Sequence, residues 1–133
     1  RNILKDGAGT IHYSVDGLSK IPAMYNAVKN VYKTKALVPL TPWIKSKPLE
    51  KPLLYVDRSA SSVNVKWNSA DFPKVFQWIL YVKYGDVWEP QIIEKNIISQ
   101  NLPLIKNGKK LNTVAIRSVD RLGNESDYDG KTF

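Results

Sequence analysis

Residues 113–126, TVAIRSVDRLGNES, decide the fold. Val114, Ile116, Ser118 and Asp120 alternate with Ala115, Arg117 and Val119, the period of two that places successive side chains on opposite faces of a strand. The alternation stops at Asp120-Arg121-Leu122-Gly123-Asn124, where Gly123 and Asn124 allow the backbone angles of a tight turn. The same period recurs upstream. Val63, Val65 and Trp67 alternate with Asn64 and Lys66, and Trp78, Leu80, Val82 and Tyr84 face one way while Ile79, Tyr81 and Lys83 face the other. Leu54 and Val56 predict a strand after Pro52, and Ser59 to Ser62 a polar turn. Residues 92–98 predict another strand, and Leu102 to Ile105 form an apolar patch before the turn Lys106-Asn107-Gly108-Lys109-Lys110. Six or seven short strands with such turns describe a mainly β protein, a sandwich of two sheets.

The first fifty residues follow a different period. Residues 8–15, AGTIHYSV, predict a short strand and Asp16-Gly17 a turn. Ser19 is positioned to cap a helix, with Pro22 in the first turn where its missing N–H costs little. Ile21, Met24, Tyr25, Val28, Val31 and Tyr32 form one apolar stripe at helical spacing, and Asn26, Lys29, Asn30 and Lys33 take the other side. The helix is expected to end near Lys35. Pro39, Pro42 and Pro48, interleaved with lysines and followed by Pro52, then give residues 39–51 the composition of a semi-stiff linker.

Composition removes several functions. The 133 residues hold no Cys and one His, so a disulfide framework, a thiolate centre and a histidine metal cluster are excluded. No cofactor or metal is expected. No apolar run has the length of a membrane span. Twenty Lys and Arg against 12 Asp and Glu leave a net charge of +8, but the basic residues are scattered, and no nucleic-acid motif accompanies them. Basic charge alone gives affinity without specificity, so no specific nucleic-acid partner is expected; a module for anionic polymers is the reading this charge would otherwise favour. The chain begins with Arg1 rather than Met, and a longer polypeptide upstream is the expectation.

The pattern V-x-I-x-S-x-D-x-x-G resembles the sixth strand and following turn of a fibronectin type III domain. A Trp closing the second strand and the ending LYVKYG of the third are similar to the same family. Its corner tyrosine would fall at residue 112, which is Asn112, so the corner hydrogen bond is expected to be absent or replaced. The N-terminal words GTIHYSVDGLSK and VYKTKALVPLTPW are similar to the end of the barrel in glycosyl-hydrolase-like family 10 proteins, bacterial envelope proteins in which a (β/α)8 barrel precedes a fibronectin-like domain. That resemblance implies three regions. Residues 1–38 would be the last β/α unit of the barrel, 39–51 a linker, and 52–133 a fibronectin type III-like (immunoglobulin-like) β-sandwich. It also implies an exported protein of the periplasm or outer surface, lipid-anchored through its missing N-terminus, with the catalytic barrel of the same polypeptide as the sandwich's partner.

Barrel chemistry lies at the C-terminal ends of strands, so His12 and Asp16 are the substrate-contact candidates under this resemblance. Glycoside hydrolysis needs two carboxylates across the sugar, and only Asp16 lies near that position; the chain itself is expected to be inert, an accessory domain of a glycoside hydrolase. The alternative is a carbohydrate-binding module stacking sugars on exposed aromatics, with Trp88 and Tyr81 as candidates. Trp88 is otherwise a buried edge or an interdomain contact, and Trp43 docks one domain on the other. Trp67, Trp78, Tyr84, Val114 and Ile116 are expected in the core, with Gly123 shaping the turn. Asp120, Arg121, Asn124, Glu125 and Asp127 are expected to form a capped turn with a surface ion pair rather than a calcium cage.

Overall fold

The computed structural model describes residues 20–33 and 35–133. The chain divides between Ala36 and Leu37 into two compact units. In the first, helix α1 spans Pro22–Val31. It begins at the proline, with Ile21 as the capping residue, and ends at Tyr32, whose N–H reaches the Val28 carbonyl. The helix is thus about a turn shorter at its C-terminal end than expected. Its apolar stripe is present but unburied: Met24, Tyr25 and Val31 are all exposed. The predicted strand at 8–15, its turn and the Ser19 cap lie outside the described residues.

The second unit is a β-sandwich. One sheet holds β1 (Leu53–Arg58), β2 (Ser62–Asn68) and β5 (Ser99–Pro103), in the order β1-β2-β5. The other runs β4 (Val87–Glu94), β3 (Gln77–Tyr84), β7 (Lys109–Val119) and β6 (Ile105–Lys106), with β8 (Asp129–Thr132) also paired to β7. Every pairing is antiparallel. First, second and fifth strands facing fourth, third, seventh and eighth is the strand order of a fibronectin type III-like sandwich. The two inner faces meet in one core, in which Val63, Val65, Trp67, Trp78, Leu80, Val82, Tyr84, Val114 and Ile116 are all at most 3% exposed. The period of two read from the sequence is therefore the pleat of the sheets, and burial of these side chains at ~25 cal/mol per Å² is the main stabilising term.

One strand falls elsewhere than expected. Residues 92–98 are the end of β4 and the turn after it; β4 itself starts at Val87, because Gly85-Asp86 closes a two-residue hairpin that pairs Tyr84 with Val87. Pro90 obscured it. A proline cannot donate to a ladder, and it is tolerated here because β4 is an edge strand paired only to β3. Asn107 and Gly108, both at positive φ, make the other two-residue hairpin.

The missing corner tyrosine has a substitute. The β3–β7 register slips so that Tyr84 faces Leu111, Lys83 faces Thr113 and Asn112 is skipped. This bulge turns Leu111 inward, 5% exposed, in place of a tyrosine. The tether comes from the neighbouring strand instead, where the Tyr84 hydroxyl donates to the Pro103 carbonyl at 2.9 Å and joins the two sheets. Tyr84→Phe should lower stability by about 1–2 kcal/mol, read as a lower denaturant midpoint at unchanged slope. Burial raises the Tyr84 phenol above the ordinary tyrosine pKa, with the Lys106 cation opposing it. The neutral phenol's contribution is then intact below the ordinary value and lost as pH rises through the raised one. The phenylalanine variant should show a flatter alkaline limb in stability against pH.

Residues 39–51, expected as a linker, are packed on the sandwich. The Thr41 N–H and hydroxyl both donate to the Leu122 carbonyl at 2.9 Å, and Asn124 Nδ2 donates to Ser46 Oγ at 2.7 Å. Leu49 is buried, and the Glu50 N–H donates to Asp71. Bonds from the Lys74 ammonium and then the Glu50 N–H hold the Asp71 carboxyl below the usual carboxylate range. Their contribution is present above the ordinary carboxylate pKa and lost as pH falls through the lowered one.

Candidate functional site

The outer face of the five-stranded sheet carries the site. Tyr81 on β3 pairs with Pro90 on β4 and Ala115 on β7, and Ala115 pairs with Gly130 on β8. This row across four strands is large on one side and nearly bare on the other. The next row is Trp88, Lys83, Thr113 and Thr132. On the far side Arg117 follows Ala115 by two residues, and Tyr128 precedes Gly130 by two, so both share the outward face. Small residues between large ones leave a groove of about 650 Å³, with Ala115 and Gly130 as floor and Tyr81, Trp88, Tyr128 and Arg117 as walls.

The walls are held in place before any ligand arrives. Trp88 meets Tyr81 edge to face at 6.5 Å and 87°, and the Lys83 ammonium lies 5.8 Å from its ring centre. The Arg117 guanidinium lies 5.6 Å from the Tyr128 ring and donates to Glu125 at 2.8 Å. Trp88 is 49% and Tyr128 60% exposed. Such contacts restrict rotamers, so a ligand meets rings that have less freedom left to lose.

Of the residues singled out in the sequence, Tyr81 and Trp88 come together in this groove, and Trp88 is open to solvent rather than a buried edge. Trp67, Trp78, Tyr84, Val114 and Ile116 lie in the core. Gly123 forms its turn at φ +81°. Trp43 is 76% exposed on the packed segment before β1. His12 and Asp16 lie outside the described residues. Asp120 serves its own turn, accepting the Leu122 and Asn124 N–H groups on Oδ1 at 2.8 and 2.9 Å and the Asn124 amide on Oδ2.

Sequence reasoning missed Tyr128, Arg117 and the bare floor. The signal was there. Tyr128, Gly130 and Thr132 alternate with Asp129 and Lys131, but a final strand of four residues is too short to stand out without its partner.

No protein-family model matches the chain, and no curated protein matches it. Among solved structures, the fibronectin type III domain of human collagen XX aligns with 68% of this chain and 100% of its own, at TM-score 0.47 and 16% identity. Pectate lyase PelI from Erwinia chrysanthemi, solved in complex with tetragalacturonic acid, aligns with 61% of this chain at TM-score 0.45 and 12% identity. The chain spans 28% of that enzyme's length. At these scores neither match bears on activity.

Proposed function

We propose that this chain is the non-catalytic C-terminal accessory region of an exported glycoside-hydrolase-like protein, related to the glycosyl-hydrolase-like family 10 proteins that its sequence resembles. Residues 1–38 then close a barrel, and the sandwich packs against or spaces that barrel in the periplasm or at the outer surface. The observation that carries the reading is the clamped lead-in. Thr41, Ser46, Leu49 and Glu50 fasten the segment before β1 to the sandwich, which makes it part of the accessory domain.

The coding sequence upstream of Arg1 tests this. A long upstream region with alternating β and α periodicity and a secretory or lipoprotein signal is the expected result. A reading frame that opens within a few residues of Arg1 would overturn it.

A second reading is favoured by the exposed rings of Trp88 and Tyr128 beside Tyr81: the sandwich is itself a carbohydrate-binding module. The two readings are compatible, since an accessory domain that holds polysaccharide also serves the barrel to which it is joined.

A further inference from the structure

We infer that the groove between Trp88 and Tyr128 takes an uncharged oligosaccharide, and that acidic glycans and nucleic acids are excluded from it; this rests on the carbohydrate-binding reading above. The inference comes from where the charge is. The chain carries a net charge of +8, and a groove built for polyanions would concentrate unpaired cations along a track. This groove does the opposite. Among the described residues Arg117 is the one charged residue that lines it, and its guanidinium is paired with Glu125 at 2.8 Å. Lys83, beside Trp88, is paired with Asp86 at 3.7 Å. Each cation at the margin thus has a carboxylate in contact, and an incoming anion would have to compete with it.

What remains matches the surface of a pyranose. The C–H faces of a sugar ring are apolar and lie flat on aromatic rings, which Trp88, Tyr81 and Tyr128 supply. The sugar's hydroxyls need donors and acceptors at the rim, which the Thr113 and Thr132 side chains and the guanidinium N–H groups of Arg117 beyond its Glu125 bond can provide. Ala115 and Gly130 let the ring sink between the walls. The groove crosses four strands, roughly 14 Å at the usual interstrand spacing, so a short oligosaccharide is accommodated rather than a single ring. Since the rings are already held by Lys83, Arg117 and one another, the cost of ordering them on binding is reduced.

The test is calorimetric titration of the full 133-residue chain with a neutral panel (cello-, xylo- and manno-hexaose) and with oligogalacturonate as the acidic probe. At least one neutral hexaose should bind, with affinity unchanged by added salt because no ion pairing is involved. Trp88→Ala and Tyr128→Ala should each weaken it by about tenfold or more, equivalent to ~1.4 kcal/mol. Both side chains are exposed, so the variants should keep the parent's melting temperature, and Trp43→Ala should bind as the parent does. Gly130→Val should also block the groove, because a Cβ there already lies 3.4 Å from the Ala115 Cβ. Preferential binding of oligogalacturonate that collapses with salt would overturn the uncharged ligand while leaving the carbohydrate face intact. Failure of every glycan to bind would overturn both.

Discussion

Trp78→Ala should destabilise the sandwich by about 3–5 kcal/mol, a large share of the ~5–15 kcal/mol that holds a domain folded. Trp78 is fully buried at the junction of the two sheets. Its ring meets Trp67 edge-on at 6.4 Å and 65°, and lies 6.3 Å from Phe72, which packs against the core. Its Nε1 donates to the Lys95 carbonyl at 2.9 Å, which fixes the turn after β4. Truncation therefore removes three things at once: ring volume, an aromatic pair and a tether. Cavity cost and the loss of a partner for a part-buried carbonyl add in the same direction. Trp78→Phe separates them, since it keeps most of the volume and loses the N–H; its expected cost is about 1–2 kcal/mol. Urea or guanidinium unfolding followed by circular dichroism measures both. Equal losses for the two variants would mean that the hydrogen bond, not the packing, dominates at this position.

Gly123→Ala should cost about 2–4 kcal/mol, combining left-handed backbone strain with overpacking. At φ +81° a Cβ on residue 123 would stand 2.7 Å from the Pro39 carbonyl oxygen and 2.8 Å from Leu40 Cα and N. All three are backbone atoms, so rotating a side chain relieves nothing. Either the turn distorts or residues 39–41 let go, and the second route is the cheaper because the segment lies at the surface. The clearest readout is exchange of the Thr41 amide, whose N–H donates to Leu122. A loss of ~2 kcal/mol of local stability speeds it by roughly thirtyfold. Gly108 provides the control. It too has positive φ, +76°, but a Cβ there meets nothing within 4 Å, so Gly108→Ala should cost only the backbone strain, about 1–2 kcal/mol. If Gly123→Ala and Gly108→Ala fall together, the lead-in does not dock on this turn in solution.

The contrast between these two glycines also marks the limit of what the sequence discloses. Both sit in turn-forming contexts, and both turns were legible. That one of them abuts Pro39, more than eighty positions away, is set by tertiary packing and leaves no local trace. The same division runs through the site. Tyr81 could be singled out because a large aromatic on an outward parity is visible from alternation alone, and Trp88 because a large ring stands out in the stretch GDVWEPQ. Their partnership with Arg117 and Tyr128 depends on which strand pairs with which, and in what register. Leu111 is the sharper instance: strict alternation from Val114 puts it on the outer face, and only the skipped Asn112 brings it into the core. The proline-rich segment read as a linker because composition measures stiffness, not whether Leu49 finds a cavity to fill.

The clamp on the lead-in has a consequence for when the fold can form. Thr41 to Leu122, Ser46 to Asn124 and Leu54 to Asp129 are contacts across sequence separations of 81, 78 and 75 residues. A ribosome delivers the first member of each pair well before the second. While β1, β2 and the β3–β4 hairpin are already outside, their incoming segment can make its Glu50–Asp71 bond but not those of Thr41 and Ser46, and the edge of β1 waits for Asp129. Closing such long loops is the slow part of folding sandwiches of this kind, so the residues from Leu122 onward act as the latch. Nascent chains arrested before Leu122 leaves the exit tunnel should keep the segment before β1 open to protease, and release of the last strand should shut it in one step.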